Sequence, residues 1–155
     1  MTKNTSDIKK PSSLADYEVV VRLPIQWGDL DLYGHVNNVV YLKWFEAARA
    51  AYALRVGVEI LSRDRGVGAI LASITCNYRR PLAYPGEVLS AVRVTRVSVG
   101  SVTLEYLVVD AKTGVPAADG MCDVVLYDYV SGQPVPVPDR IRTAVEQLED
   151  KRFPV

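Results

Sequence analysis

A run of apolar and small residues from Val39 to Val56, set between strand-like segments, constrains the fold of this chain more than any other feature. Tyr41, Phe45, Ala48 and Tyr52 recur at i, i+4, i+7 and i+11, the stripe of an α-helix. The other side carries little charge: Ala47, Ala50, Ala51 and Ala53 surround Lys43, Glu46, Arg49 and Arg55. A helix that is apolar or small nearly all round is expected to be buried. At about 1.5 Å per residue it spans about 27 Å, enough to cross a small domain. Gly57 supplies its stop. The rest of the chain must therefore cover this helix.

The segments around it read as strands. Asp16 to Ile25, DYEVVVRLPI, is rich in β-branched residues, and Pro24 near its end suits an edge strand or a strand that is stopping. After a linker containing SRDRGVG come four strand candidates: Gly68 to Arg79, Glu87 to Val97, Ser101 to Asp110 and Ala117 to Tyr129. Pro81, Pro85 and Gly86, then Gly100, then Lys112 to Gly114 break them into short antiparallel connections. Asp139 to Asp150 reads as a terminal amphipathic helix with Ile141, Val145 and Leu148 on one side. One strand, one central helix and a meander make an α+β layer arrangement. There is no internal repeat and no second domain.

The 155 residues fit one domain, expected over 15–155, behind a disordered tail at 1–14. With 49% hydrophobic and 23% charged residues the chain has an ordinary globular composition. Its 18 basic and 18 acidic side chains cancel, so no broad electrostatic footprint for nucleic acid or an anionic membrane is present, and a polyanionic ligand must be met locally. Cys76 and Cys122 fall in alternating strand-like runs without a Cys or His at metal-ligand spacing, which predicts two buried free thiols and no metal site. No apolar run reaches membrane-span length, and MTKNTSDIKKPSSL lacks the apolar core of a signal peptide, so the expected location is cytoplasmic.

The chemistry concentrates just before the long helix. Gln26 to Glu46, QWGDLDLYGHVNNVVYLKWFE, holds Asp29, Asp31, the only histidine, Gly28 and Gly34, and the pair Asn37 and Asn38. The first four N–H groups of a helix have no partner inside it and the macrodipole is positive there, so such an end can hold an oxyanion. Gly34 lets the loop bend through positive φ and brings the Asp31 carboxylate near those amides. A base beside an oxyanion site points to acyl transfer or hydrolysis. The same residue types also serve as turn formers and N-caps, and Asp29 is assigned that role. No G-x-S-x-G elbow, phosphate-binding loop or dinucleotide fingerprint competes, and one histidine leaves little room for a Ser-His-Asp system.

The run W-G-D-L-D-L-Y-G-H-V-N-N-V-V-Y, followed by Trp44 and Glu46, resembles the signature of hotdog-fold thioesterases of the 4-hydroxybenzoyl-CoA thioesterase-like group, and its H-V-N-N core is similar to the plant acyl-ACP thioesterases. The resemblance implies a curved antiparallel β-sheet wrapped around one long central α-helix. It implies a homodimer or homotetramer with active sites at the interface, an acyl-CoA or acyl-carrier-protein thioester as substrate, and no cofactor.

By the same resemblance, Asp31 is the catalytic carboxylate, as nucleophile or as general base, and the backbone N–H of Asn38 polarises the thioester carbonyl. His35 either positions substrate or holds the turn; Tyr33 stands where the acyl-ACP group has Asn. Glu46 matches an acid implicated in that group, or forms a helical ion pair with Lys43 or Arg49. Tyr33 and Gly34 are placed at the substrate. The turn from Arg96 to Ser101 occupies the place of a basic cluster, leaving Arg96, backbone amides or Ser101 for a phosphate, with Arg79 and Arg80 as further contacts. A non-catalytic hotdog domain that binds an acyl thioester as a sensor or scaffold is the alternative.

Overall fold

A computed structural model of the chain describes residues 7–59 and 66–154. Residues 1–6, within the expected tail, and 60–65, within the expected linker, lie outside the described residues. Strand β1 (Val19–Ile25) leads through a short 3-10 turn (Trp27–Asp29) to the helix α1 (Asn38–Val56). Then follow β2 (Val67–Tyr78), β3 (Gly86–Val97), β4 (Ser101–Asp110), β5 (Pro116–Asp128), a short β6 (Gln133–Val135) and the helix α2 (Asp139–Glu149). The sheet is antiparallel throughout, in the order β1-β3-β4-β5-β2, with β6 also on β5. The expected strands and helices are all present, displaced by a few residues at their ends; β6 is additional.

Register shifts at Leu71/Ser73, Val94/Arg96 and Val108/Val109 mark bulges, which bend strands and let the sheet curve around α1. Side chains alternate across the strands accordingly. Val19 and Val21 of β1 and Val88, Val92 and Val94 of β3 face the helix with Tyr41, Trp44, Phe45, Ala48 and Tyr52. Val20, Leu89, Ala91 and Val109 face the other way, and Ile8, Leu14 and Tyr17 cover them. The described part of the expected disordered tail is thus packed rather than disordered. Leu14 is fully buried, because the convex face of β1, β3 and β4 is itself apolar and needs a cover.

At Gly120 of β5 the Phe45 side chain of α1 packs directly on the strand backbone. A Cβ there would meet the Thr75 carbonyl oxygen and come within 2.7 Å of the Phe45 ring. That ring stacks on Tyr106 at 4.4 Å between centroids. From β3 of the same sheet, buried Ser90 donates its hydroxyl to the Trp44 carbonyl at 2.8 Å.

One expectation is altered. α1 is not buried all round: Val39, Ala50 and Leu54 are exposed beside Lys43 and Glu46, because the sheet covers only one side of the helix. α2 buries Ile141 and Val145 against the same core, and Glu149 at its end accepts from Tyr52 Oη at 2.7 Å and from the Val94 N–H, freed at the bulge, at 2.8 Å. No helix among the described residues is long and apolar enough to cross a membrane. Cys122 is buried and Cys76 half-buried; both are free.

Gly120→Ala should destabilise the protein by about 1–3 kcal/mol, the usual cost of overpacking. At roughly 2–4 °C per kcal/mol for a chain of this size, thermal unfolding will register it. Gly100→Ala, which meets nothing within 4 Å, is the control and should leave the melting temperature unchanged.

Candidate active site

The loop from Gln26 to Asn37 is built almost wholly from its own backbone bonds. Asp29 makes a capping box: its carboxylate accepts from the Gln26 N–H at 2.8 Å, and its N–H donates to the Gln26 carbonyl at 3.0 Å. Its carbonyl then accepts from Asn37 N–H at 2.8 Å, which ties the start of the loop to the start of α1. Asp31 closes an inner turn. Its N–H donates to the His35 carbonyl at 2.8 Å and its carbonyl accepts from Gly34 at 3.1 Å. Gly34 takes φ 76°, the left-handed conformation that the turn requires. Val36, buried, anchors the whole loop by donating to the Leu82 carbonyl at 2.8 Å.

Within this turn one carboxylate oxygen of Asp31 is committed and the other is free. Oδ1 accepts from the Tyr33 N–H at 2.8 Å and the His35 N–H at 3.3 Å, whereas Oδ2 accepts nothing among the described residues. The side chain is exposed. Helix α1 starts one residue after Asn37, whose side chain accepts from the Val39 N–H at 3.2 Å as an N-cap. The Val40 N–H donates to the Asn37 carbonyl at 3.0 Å. The Asn38 N–H, between these two, has no acceptor among the described residues and belongs to an exposed residue at the positive end of a helix running to Val56.

Asp31, His35 and Asn38 line one open cavity of about 320 Å³, together with Tyr41, Tyr78, Arg79 and Arg80. Tyr78 donates its hydroxyl to the Asn38 carbonyl at 3.0 Å and packs edge-on against Tyr41 at 5.1 Å, fixing the first turn of α1 to the end of β2. Burial pushes the Tyr41 hydroxyl up to about 12, so it stays protonated and acts as a donor at neutral pH. Neither tyrosine stands out in the sequence: Tyr41 is one member of a helical stripe, and Tyr78 lies inside the expected strand from Gly68 to Arg79. The Tyr-Arg-Arg run at that strand end was the available signal.

The two arginines differ. Arg79 is held by Asp119, with Nε to Oδ2 at 2.7 Å, and this pairing keeps the Asp119 carboxyl below the usual carboxylate range. Arg80 is exposed and makes no salt bridge among the described residues. Tyr33 projects into solvent at 87% exposure from the loop beside Gly34. Arg96 and Ser101 are not brought to this cavity within one chain. Their turn joins β3 to β4 at the sheet end that aligns with Leu71 of β2, about 23 Å along that strand from Tyr78. Ser101 there shares a hydrogen bond with Ser98 at 2.7 Å between hydroxyls. Glu46 forms neither of its expected ion pairs. Among the described residues no three His, Cys, Asp or Glu side chains gather as a metal site would require.

The thioesterase-like superfamily matches residues 25–145 of the chain. A thioesterase from Thermus thermophilus, solved in complex with coenzyme A and zinc, is 32% identical and superposes with a TM-score of 0.79 over 90% of this chain and 99% of that one. The uncharacterized protein YsmA of Bacillus subtilis is 27% identical over 114 residues, 74% of this chain and 76% of its own length. The long-chain acyl-CoA thioesterase FadM of Escherichia coli is 24% identical over 119 residues, covering 77% and 90%. The six antiparallel strands and the long helix are the hotdog fold of these neighbours.

Asn37→Ala removes the cap that sets where α1 begins and should cost about 0.5–2 kcal/mol of stability. Asn37→Asp keeps an acceptor oxygen in the same place and should recover most of it, as thermal unfolding of the two variants will show.

Proposed function

The chain belongs to the thioesterase-like superfamily, and from that premise we propose that it hydrolyses an acyl-CoA thioester between Asp31 and the first amide of α1. It is a thioester hydrolase; the residue roles and the carrier are the proposal. The observation that carries the reading is the pairing, in one cavity, of a carboxylate with one uncommitted oxygen and a helix N-terminal N–H with no acceptor.

The thioester carbonyl oxygen accepts from the Asn38 N–H, and the macrodipole of α1 adds to the field there. In the general-base form, Asp31 takes a proton from water as the water oxygen attacks the carbonyl carbon. The tetrahedral oxyanion is held on the Asn38 N–H, then collapses with cleavage of the C–S bond, and the thiolate takes up a proton. In the nucleophilic form, Oδ2 attacks first and expels the thiolate, and water cleaves the resulting anhydride. His35 shapes the turn through its backbone and leaves its exposed ring to the substrate side. Arg80, free where Arg79 is engaged, is assigned to the phosphates of coenzyme A. The coenzyme A complex of the Thermus relative and the acyl-CoA activity named for FadM support that carrier over a carrier protein.

The working form is proposed as a homodimer. β2 is the last strand of the sheet; its outer edge is unpaired among the described residues, and Leu71 and Tyr78 are 40% and 48% exposed. A long open edge of this kind invites pairing with another strand. Antiparallel pairing of two β2 strands would carry the β3–β4 turn of one copy, with Arg96 and Ser101, toward the catalytic end of the other.

Asp31→Asn is the direct test. The amide oxygen still accepts from the Tyr33 and His35 N–H groups, so the turn survives, but neither attack nor proton acceptance remains. Turnover of acyl-CoA, followed by release of free thiol, should fall by about a hundredfold or more with an unchanged melting temperature. Normal turnover would remove Asp31 from the mechanism. Arg80→Ala should raise KM for acyl-CoA and flatten its dependence on salt, with little effect on kcat. Sedimentation at micromolar protein should give a dimer; a monomer hydrolysing at full rate would refute the shared site.

A further inference from the structure

The catalytic cavity holds one polar group to which hydrolysis has so far given no part. Tyr41, one turn into α1, lines that cavity although only 3% of the residue is exposed. Trp44 and Tyr78 hold its ring edge-on, each at 5.1 Å between centroids. Its hydroxyl donates to nothing among the described residues. Every buried side-chain oxygen or nitrogen among them has a hydrogen-bond partner, so the unpartnered Tyr41 oxygen is not sealed in the core; it is the end of the residue that meets the cavity. The Leu82 N–H approaches that oxygen and pulls its pKa down against the larger effect of burial. A donor on that side leaves the phenol's own hydrogen to point elsewhere.

The fold places this hydroxyl at the start of the helix. Asn38 and Tyr41 stand at i and i+3, on one face of α1. A long side chain on a helix leans back over the preceding turn, and the N–H groups of the first turn point the same way. Three residues rise about 4.5 Å, which a tyrosine side chain outreaches. Two contacts agree with this. Leu82, next to the Tyr41 oxygen, accepts from the Val36 N–H two residues before Asn38. Tyr78, packed on the Tyr41 ring, donates to the Asn38 carbonyl at 3.0 Å. The Tyr41 hydroxyl and the Asn38 N–H are thus both directed off the same end of α1.

A tetrahedral oxyanion accepts more than one hydrogen bond, and the Asn38 N–H supplies one. We propose that the Tyr41 hydroxyl is the second donor to the thioester oxygen, with a bond that strengthens as negative charge develops there. The inference rests on the reading of Asn38 as the first donor and extends it to a side chain. On attack, the π pair of the carbonyl moves onto the oxygen between the two donors. On collapse that pair re-forms the carbonyl, the C–S bond breaks, and the thiolate leaves with the bonding pair. Tyr41 keeps its proton throughout. Its rivals in the cavity are worse placed: Arg79 is spent on Asp119, and Arg80 and His35 are exposed, where water weakens a hydrogen bond.

Tyr41→Phe removes the oxygen and keeps the ring that Trp44 and Tyr78 hold, so the melting temperature should not change. Turnover of acyl-CoA should fall in kcat by about a hundredfold, the usual loss for one oxyanion donor, with KM little altered. A spectroscopic readout separates this from a packing role. Hexanoyl-CoA and benzoyl-CoA analogues with a methylene in place of sulfur are ketones that cannot be cleaved, and each hydrogen bond to a ketone oxygen lowers its carbonyl stretch. With a carbon-13 label at the carbonyl, the stretch of the bound analogue should lie below its value in water for the wild type and rise in Tyr41→Phe. Unchanged kcat in Tyr41→Phe would overturn the proposal. So would a lower kcat with an unchanged stretch, since packing alone would then explain the loss. A wild-type stretch no lower than in water would remove the Asn38 amide together with Tyr41, whereas a lowered stretch that survives Tyr41→Phe removes Tyr41 and leaves Asn38 in its role.

Discussion

The placement of α1 depends on one close approach, where β5 gives up a side chain at Gly120 so that the Phe45 ring, stacked on the neighbouring Tyr106, can lie against the strand. Strand and helix meet there at a distance that any Cβ would spoil. Ser90 adds a second fixed point by binding the Trp44 carbonyl from β3. With its middle pinned from two strands, the helix cannot slide along its axis without breaking ring stacking and a buried hydrogen bond. The first amide of α1 is therefore held as firmly as the core, although Asn38 itself is exposed. That is the condition under which a backbone dipole serves as a preorganised oxyanion donor, because no reorganisation remains to be made when charge develops.

The loop before the helix solves a different problem. It must present a charged carboxylate to solvent without letting it wander, and it does so by spending Asp31 Oδ1 on two backbone N–H groups while leaving Oδ2 free. The carboxylate is thereby a structural acceptor and, in the proposed mechanism, also the reactive group. Asp29, two residues away and of the same type, is spent on the capping box and on the bond from its carbonyl to Asn37. Only the hydrogen-bond pattern separates the two acids. Tyr78 completes the arrangement by tying the Asn38 carbonyl to the end of β2, so three separate chain segments converge on the helix start.

Charge is distributed with the same economy. The chain is neutral overall, and among the described residues Arg22, Arg79, Arg93 and Arg152 each answer a nearby carboxylate, as Arg79 answers Asp119 and Arg93 answers Glu105. Arg80 and Arg49 are different: one is uncommitted at the catalytic cavity, and the other, half-buried, donates to Tyr106. In a molecule without net charge, such local imbalances are what can distinguish an anionic ligand from a neutral one.

Much of this was legible in the sequence. The 3.6-residue stripe of Tyr41, Phe45, Ala48 and Tyr52 and the alternation in the strands determined the elements, because each depends on local periodicity. The clustering of Asp31, Gly34, His35 and Asn38 before a helix marked the candidate site, because helix termini leave donors unpaired wherever they occur. Tertiary structure alone decided the rest. That α1 keeps one face open follows from how far the sheet wraps, which no window of sequence contains. That Tyr78 and Arg80 reach the catalytic cavity, while Arg96 and Ser101 lie at the far end of the sheet in the same chain, follows from strand register. The packing of Ile8 and Leu14 follows from an apolar convex face assembled out of β1, β3 and β4. Sequence specifies which residues repeat and which turn; contacts between residues tens of positions apart exist only once the sheet has closed over the helix.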